Sequence, residues 1–104
     1  MSTPTKMVTD HAGRPIPALT PGDSQRVAVG SSSAQSTALD SETIIVRVVA
    51  DVDCYLAFGA NPTATNTDLF LAAGDTEYFG VTPGSKIAVL RAVGDGYLNI
   101  VEMR

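Results

Sequence analysis

Apolar and polar side chains alternate along two adjacent segments in the middle of the chain, on either side of Asp51–Asp53. Both segments place their apolar residues at even positions: Ile44, Val46, Val48, Ala50, Cys54, Leu56 and Phe58. Because successive side chains of a strand point to opposite faces, each segment predicts a β-strand with one apolar face. β-branched and aromatic residues dominate both segments, as is typical of strands. We therefore expect these two strands to form the centre of the hydrophobic core.

The connection through Asp51, Val52 and Asp53 is compatible with two arrangements that bury both apolar stripes. In an antiparallel pair, Ala50 would lie opposite Cys54 and the stripes would share one face, whereas a two-residue turn would place them on opposite faces. In the second arrangement, the connection is an arch that carries the second strand into a facing sheet. The sequence leaves both arrangements open.

Further strand signals occur on both sides of this core, separated by turns rich in Gly, Pro, Asp and Ser. They cover residues 25–29, 34–39, 68–71, 76–80, 85–92 and 97–103. Pro83-Gly84 fits the two central positions of a type II turn. No segment shows a convincing helical pattern. The chain is therefore predicted to be all-β, a small antiparallel β-sandwich of Greek-key or jelly-roll type with seven or eight strands.

The first 22 residues differ from the rest, because they hold four of the chain's six prolines and only scattered apolar residues. Proline fixes φ and removes a backbone donor, which excludes a long helix or a central strand. We predict an extended N-terminal arm at residues 1–22 and a sandwich domain at residues 23–104. Arg14, Ile16 and Leu19 are the arm's candidate contacts with a partner, and a free tail is the alternative.

Length and charge narrow the class of protein. The chain has 104 residues, which suits one domain. The arm carries Lys6, Arg14 and Asp10, a formal charge of +1, which leaves −5 for the rest of a chain whose net charge is −4. This balance argues against nucleic acid as a partner. No segment approaches the length of a membrane span, and the N-terminus lacks the apolar core of a signal peptide, so we expect synthesis in the cytoplasm and no membrane contact.

The residues that could support catalysis or metal binding are few and scattered. The only histidine, His11, lies in the arm, whereas a metal-dependent cupin enzyme would need a histidine cluster. The only cysteine, Cys54, lies on the apolar stripe and is expected to be an inert buried thiol. Asp51 and Asp53 are expected to satisfy backbone groups in a turn rather than to bind calcium, which needs six or more oxygen ligands. We predict no enzyme activity, no cofactor, no metal and no small-molecule substrate.

Two further features that could bind a ligand have ordinary structural explanations. Gly94-Asp95-Gly96 predicts a hairpin turn, since no helix follows it to form a phosphate site. The three tyrosines, Tyr55, Tyr78 and Tyr97, could form a platform for a sugar, although in all-β domains such residues more often cap a core or line a subunit contact.

The strand at residues 85–92 is apolar on both faces. Ile87 and Val89 lie on one face, and the other carries Ala88, Leu90 and Ala92. A two-layer sandwich normally leaves one face of each sheet in water, so the second apolar face predicts an additional cover. A neighbouring subunit would bind at Ala88, Leu90 and Ala92, unless the loop at residues 61–67 or the arm covers them within one chain.

Four segments together resemble a group of small virion proteins of tailed bacteriophages. They are Val46-Arg-Val-Val-Ala-Asp, Tyr55-Leu-Ala-Phe-Gly-Ala-Asn-Pro-Thr-Ala-Thr, Phe70-Leu-Ala-Ala-Gly-Asp-Thr-Glu-Tyr-Phe and Pro83-Gly-Ser-Lys-Ile-Ala-Val. The similarity spans residues 25–102 and leaves the arm uncovered. It implies an assembly role in the virion, as a capsid-decorating, neck-collar or tail-accessory subunit.

The sequence therefore predicts a bacteriophage virion structural protein that acts through protein–protein contacts. Its expected partners are itself, as a homo-oligomer and by analogy with three-fold phage-like assemblies a trimer, and other virion proteins such as the major capsid, portal-neck or tail proteins. The alternative is a carbohydrate-binding β-sandwich module that would use the tyrosines and the polar loop at residues 59–67.

Overall fold

The computed structural model of the protein describes residues 8–9, 15–16 and 20–103, with side chains for residues 20–103. Two short strands lie in the predicted arm. β1 (Val8–Thr9) pairs antiparallel with β2 (Pro15–Ile16), with Val8 opposite Ile16. The remaining residues before Thr20 lie outside the described part of the chain.

The body of the protein consists of two four-stranded antiparallel sheets. Its strands are β3 (Pro21–Val29), β4 (Ala34–Gln35), β5 (Ile45–Ala50), β6 (Cys54–Gly59), β7 (Leu69–Leu71), β8 (Thr76–Gly80), β9 (Lys86–Arg91) and β10 (Gly96–Met103). The first sheet has the order β3-β10-β5-β8, and the second has the order β4-β9-β6-β7. Among the described residues there is no helix long and apolar enough to cross a membrane.

The strand pairing distinguishes the jelly roll from other Greek-key sandwiches. β3 pairs with β10, β4 with β9, β5 with β8, and β6 with β7. The chain is thus one long hairpin, folded at the β6–β7 loop, whose paired arms are wound into two facing sheets. The predicted all-β sandwich is confirmed, and its topology is that of the jelly-roll alternative.

The central stripe bridges the two sheets through an arch. β5 lies in the first sheet and β6 in the second, so residues 51–53 are the arch rather than the turn of an antiparallel pair. The middle of the stripe is fully buried, including Val48 and Leu56 at 0% and 1% exposure. Its two ends are not, because Ile44 is 60% exposed and Phe58 is 38% exposed. The alternation therefore gives the inward direction correctly but overestimates the length of the core.

The core is filled by inward side chains from both sheets. The first sheet supplies Val27, Val29, Val46, Val48, Ala50, Leu98 and Ile100, and the second supplies Cys54, Leu56, Leu71, Ile87 and Val89. Burying an aliphatic side chain of this size contributes about 1.5–3 kcal/mol to folding. Leu39, from the loop between β4 and β5, is only 3% exposed and closes one part of this core.

The predicted turn at Pro83-Gly84 is confirmed. Gly84 has a φ of +78°, and the Ser85 N–H donates to the Thr82 carbonyl over 3.1 Å. A positive φ at the third residue is the mark of a type II turn, where glycine adds no steric cost.

Two boundaries differ from the sequence prediction. The predicted strand at residues 34–39 ends after Gln35, because the Ser36 hydroxyl accepts the Ile87 N–H over 2.9 Å and replaces a backbone carbonyl in the ladder. The strand predicted at residues 25–29 begins earlier, at Pro21, which lies opposite Met103. Proline is tolerated there because it is the first residue of an edge strand.

Candidate interaction surfaces

The outer face of the second sheet is partly covered by the chain's own β6–β7 loop. Gln35 on β4 donates its side-chain amide to the Asn61 side chain and to the Pro62 carbonyl, both over 2.8 Å. The Ala64 N–H donates to the Ser33 hydroxyl over 2.9 Å. Because β9 lies between β6 and β4, the loop must cross β9 to make these contacts. The loop therefore covers part of β9 within the same chain.

This cover changes the surface predicted on β9. Ala88 pairs with Gln35 on the outer face of the sheet, yet its exposure is 0%. It is thus buried without any neighbouring subunit, as the alternative with the loop at residues 61–67 predicts. Leu90 and Ala92 are only partly buried and remain available to a partner.

An apolar patch continues from Leu90 across the uncovered part of the second sheet. Leu90, Tyr55 and Phe70 lie side by side on β9, β6 and β7, and we call these three residues the aromatic patch. The rings of Tyr55 and Phe70 meet edge to face, with centroids 5.6 Å apart. Phe70 is 52% exposed. The patch therefore presents aromatic surface to solvent on a face that a two-layer sandwich usually makes polar.

The outer face of the first sheet has a different chemistry. Arg26 on β3 lies over the Tyr97 ring, with its Cζ atom 4.5 Å from the ring centre. Arg47 on β5 lies directly opposite Tyr78 on β8. Neither arginine has an ion-pair partner within the described part of the chain. We call these four residues the arginine–tyrosine face.

A cleft of about 370 Å³ opens on this face. Its lining residues are Arg26, Val49, Ala50, Asp51, Gly74, Tyr97 and Asn99. At the edge of the cleft, one carboxylate oxygen of Asp51 already has a hydrogen-bond partner, because the Oδ1 atom accepts the Tyr97 N–H over 2.8 Å. The other carboxylate oxygen of Asp51 accepts no hydrogen bond from the described residues, so the cleft has the positive charge of Arg26 on one side and the negative charge of Asp51 at its edge.

The three tyrosines do not form one platform. Tyr55 lies on the outer face of the second sheet, whereas Tyr78 and Tyr97 lie on the outer face of the first. The predicted sugar site built from all three tyrosines is therefore wrong in its geometry, because the two sheets face each other and turn these rings to opposite sides of the molecule.

The two aspartates of the arch bind backbone groups of neighbouring segments. Asp51 accepts from the Tyr97 N–H, and Asp53 accepts from the Ala73 N–H over 2.8 Å. Asp51 also accounts for the glycine at position 96, because a Cβ atom on Gly96 would lie 2.2 Å from the Asp51 carboxylate. The carboxylates thus tie the arch to β10 and to the loop between β7 and β8. Within residues 20–103, no three His, Cys, Asp or Glu side chains are grouped as a metal site would need.

Cys54 is a buried thiol at the end of the arch. Its exposure is 0%, and burial, reinforced by the negative charges of Asp53 and Asp51, raises the pKa of Cys54 from 9.0 to about 11. A thiol with so little thiolate at neutral pH is a poor nucleophile. These properties match the inert role expected from the sequence.

Glu102 is a buried polar residue whose structural role the sequence analysis missed. Its side chain is 5% exposed, and its Oε1 atom accepts from the Asp40 N–H over 3.0 Å and from the Thr43 hydroxyl. It holds the loop between β4 and β5 against β10. The strand alternation could have indicated that Glu102 is buried, since Glu102 follows Leu98 and Ile100 on the inward positions of β10.

The predicted contacts of the arm cannot be placed on this surface. His11, Arg14 and Leu19 lie outside the described residues, and Ile16 is described only as part of the β1–β2 pairing.

Comparisons with protein-family models, with curated proteins and with solved structures gave no match. The similarity to phage virion proteins therefore stays a prediction from the sequence.

Proposed function

We propose that this protein is a structural subunit of a bacteriophage particle and works through protein–protein contacts. The proposal joins the resemblance of residues 25–102 to small virion proteins with a jelly-roll fold, which is common among viral capsid domains. Since one fold serves many functions, the fold supports this role only by analogy. The physical support for a contact role comes from the apolar side chains on the protein surface.

The aromatic patch is the observation that supports a contact role most directly. Phe70, Tyr55 and Leu90 form one continuous row across three strands, and Phe70 keeps about half of its surface in water. Apolar surface in such a row is a mark of an interaction site, whereas single exposed apolar residues are ordinary. Burying a side chain such as Phe or Leu at an interface can contribute about 1.5–3 kcal/mol.

We propose that the patch joins copies of this chain in a homo-oligomer of closed symmetry, and we expect a trimer by analogy with three-fold phage-like assemblies. Light scattering coupled to gel filtration tests this, using Phe70→Ser combined with Leu90→Ser. The wild type should elute as an oligomer and the double variant as a folded monomer. Ile44→Ser is the matched control, because Ile44 is 60% exposed but lies directly before β5, which belongs to the first sheet. A wild-type monomer, or an oligomer unaffected by the double variant, would contradict the proposal.

Particle incorporation tests the virion role itself. Mass spectrometry of purified particles should detect the chain at a fixed ratio to the major capsid protein. Removing residues 1–19 leaves all of β3 in place, so the melting of the body should change little. If the arm binds another virion protein, this truncation should abolish incorporation. Normal occupancy of the truncated chain would show that the arm is only a tail.

A further inference from the structure

The outer face of the first sheet is positively charged on a protein that is negatively charged overall. The outward positions of its four strands include Arg26, Arg47, Tyr78 and Tyr97 and no carboxylate, whereas the chain as a whole has a net charge of −4. An unpaired arginine on a folded surface is available to an external anion. Charge complementarity of this kind selects partners and speeds their association.

We propose that the arginine–tyrosine face binds an acidic segment of a protein partner, with one Glu or Asp side chain in the cleft. The partner's carboxylate would accept hydrogen bonds from Arg26 and from the Asn99 side-chain amide. This inference rests on the proposed contact role only in taking the partner to be a protein. It concerns a different face from the aromatic patch, so the two can fail separately.

The cleft is prepared for a carboxylate by the position of Arg26. The Tyr97 ring supports the guanidinium from one side at 4.5 Å, which leaves the N–H edges of the group free to donate. A planar guanidinium held in this way matches the two oxygens of a carboxylate. The outward side chain of Val49 in the lining suits the methylene stem of the same side chain.

The lining favours an acidic side chain over an acidic sugar. A sugar presents several hydroxyl groups that all need partners, whereas a carboxylate needs only donors such as the Arg26 guanidinium and the Asn99 amide; the other uncommitted polar groups of the lining are the Tyr97 hydroxyl and one oxygen of Asp51. The exposed side of the Tyr97 ring also has Arg26 stacked on it, which removes one surface on which a sugar could stack. A single carboxylate with an apolar stem leaves fewer groups unsatisfied in this cleft.

Arg47 extends the site beyond the cleft. Arg26 and Arg47 are separated by two inter-strand spacings across the sheet and by two residues along it. In an ideal sheet this offset places their Cα atoms about 12 Å apart. Three to four residues of extended chain span about that distance. The partner segment should therefore be extended and should carry acidic residues three or four positions apart.

The experiment titrates the full chain with poly-L-glutamate of about 20 residues at low ionic strength, where exposed charges are least screened. Amide NMR shifts locate the binding face, and calorimetry gives the affinity. We compare Arg26→Gln/Arg47→Gln with Lys86→Gln/Arg91→Gln, which lowers the net charge by the same amount on the second sheet. The first pair should weaken binding about tenfold or more, and the control pair should retain most of it.

Three results would overturn the proposal: no binding of poly-L-glutamate by the wild type, equal losses in both double variants, or binding of galacturonate or N-acetylneuraminate through Arg26 without binding of poly-L-glutamate. The second would mean that only net charge matters, and the third would mean that the cleft is a site for acidic sugars. In each case the self-association attributed to the aromatic patch would be unaffected.

Discussion

The two sheets have equivalent inner faces and unlike outer faces. Inside, both contribute fully buried aliphatic side chains, such as Val48 in the first sheet and Leu56 in the second. Outside, the second sheet is apolar and partly covered by its own loop, whereas the first carries arginines and tyrosines, of which Tyr78 and Tyr97 are 45% and 48% exposed. The inner faces therefore account for folding, and the two outer faces are the surfaces at which we propose contacts with other proteins.

The difference also separates two kinds of contact. An apolar patch such as Tyr55–Phe70–Leu90 gains free energy by leaving water, and that gain depends little on salt. A charged face such as Arg26–Arg47 gains selectivity and rate, and it weakens as ionic strength rises. A building block with one of each can join copies of itself and still recognise a different protein.

The largest effect should come from a charge placed on the inner side of the first sheet. Val48 is 0% exposed, so Val48→Asp would bury a carboxylate without a partner, at a cost of about 4 kcal/mol or more. We expect the variant to be insoluble or unfolded by circular dichroism. Arg47→Ser is the control on the outer side of the same strand and should melt close to the wild type. Equal tolerance of both changes would mean that the inner and outer faces are assigned wrongly.

A smaller effect should appear at high pH through Cys54, on the inner side of the second sheet. The pKa of its thiol is raised to about 11 in the folded chain, so the folded state favours the protonated form. Its stabilising contribution is complete below pH 9 and is lost as the pH rises from about 9 to 11, by about 2–3 kcal/mol. Denaturant unfolding across this range should show a steeper loss in the wild type than in Cys54→Ala. Parallel curves would contradict the buried thiol.

The arch that joins the two sheets should respond to an added methyl group at Gly96. A Cβ atom there would lie 2.2 Å from the Asp51 carboxylate and 2.8 Å from the Val52 methyls, so Gly96→Ala should destabilise the fold by about 1–3 kcal/mol. Gly94→Ala is the matched control, because a Cβ atom at Gly94 meets nothing within 4 Å. Thermal melting of both variants measures the difference. Equal melting temperatures would mean that the arch does not pack against β10 in this way.

The sequence was sufficient for the strands because their pattern is local. A period of two identifies the inward side of β5 and β6 from a few consecutive residues, and Pro83-Gly84 specifies its own turn. The choice between an antiparallel pair and an arch is not local, since both arrangements bury Val48 and Leu56 equally well. Only the pairing of β5 with β8 and β10 decides it.

The interaction surfaces were harder to predict because they depend on which sheet each strand joins. Alternation places Tyr55 and Tyr97 on outward positions but does not reveal that they face opposite sides of the molecule. The sequence pattern does not single out Arg26, since its contact with Tyr97 joins two strands that are far apart in the chain. The cover over Ala88 likewise depends on a contact between Gln35 and Asn61, which are 26 residues apart.

The smallest expected effect distinguishes the covered outer face from the open one. Gln35 holds the β6–β7 loop with two hydrogen bonds, whereas Asn99 is an amide on the open face whose side chain makes no hydrogen bond to the described residues. Gln35→Ala should therefore lower the free energy of unfolding by about 1 kcal/mol, and Asn99→Ala should change it by less than about half of that. Hydrogen exchange gives a second measurement, because the Ala64 amide should lose protection only in the Gln35 variant. If both variants leave exchange at Ala64 unchanged, the loop is held by its own packing. Ala88 would then stay covered without the Gln35 contact.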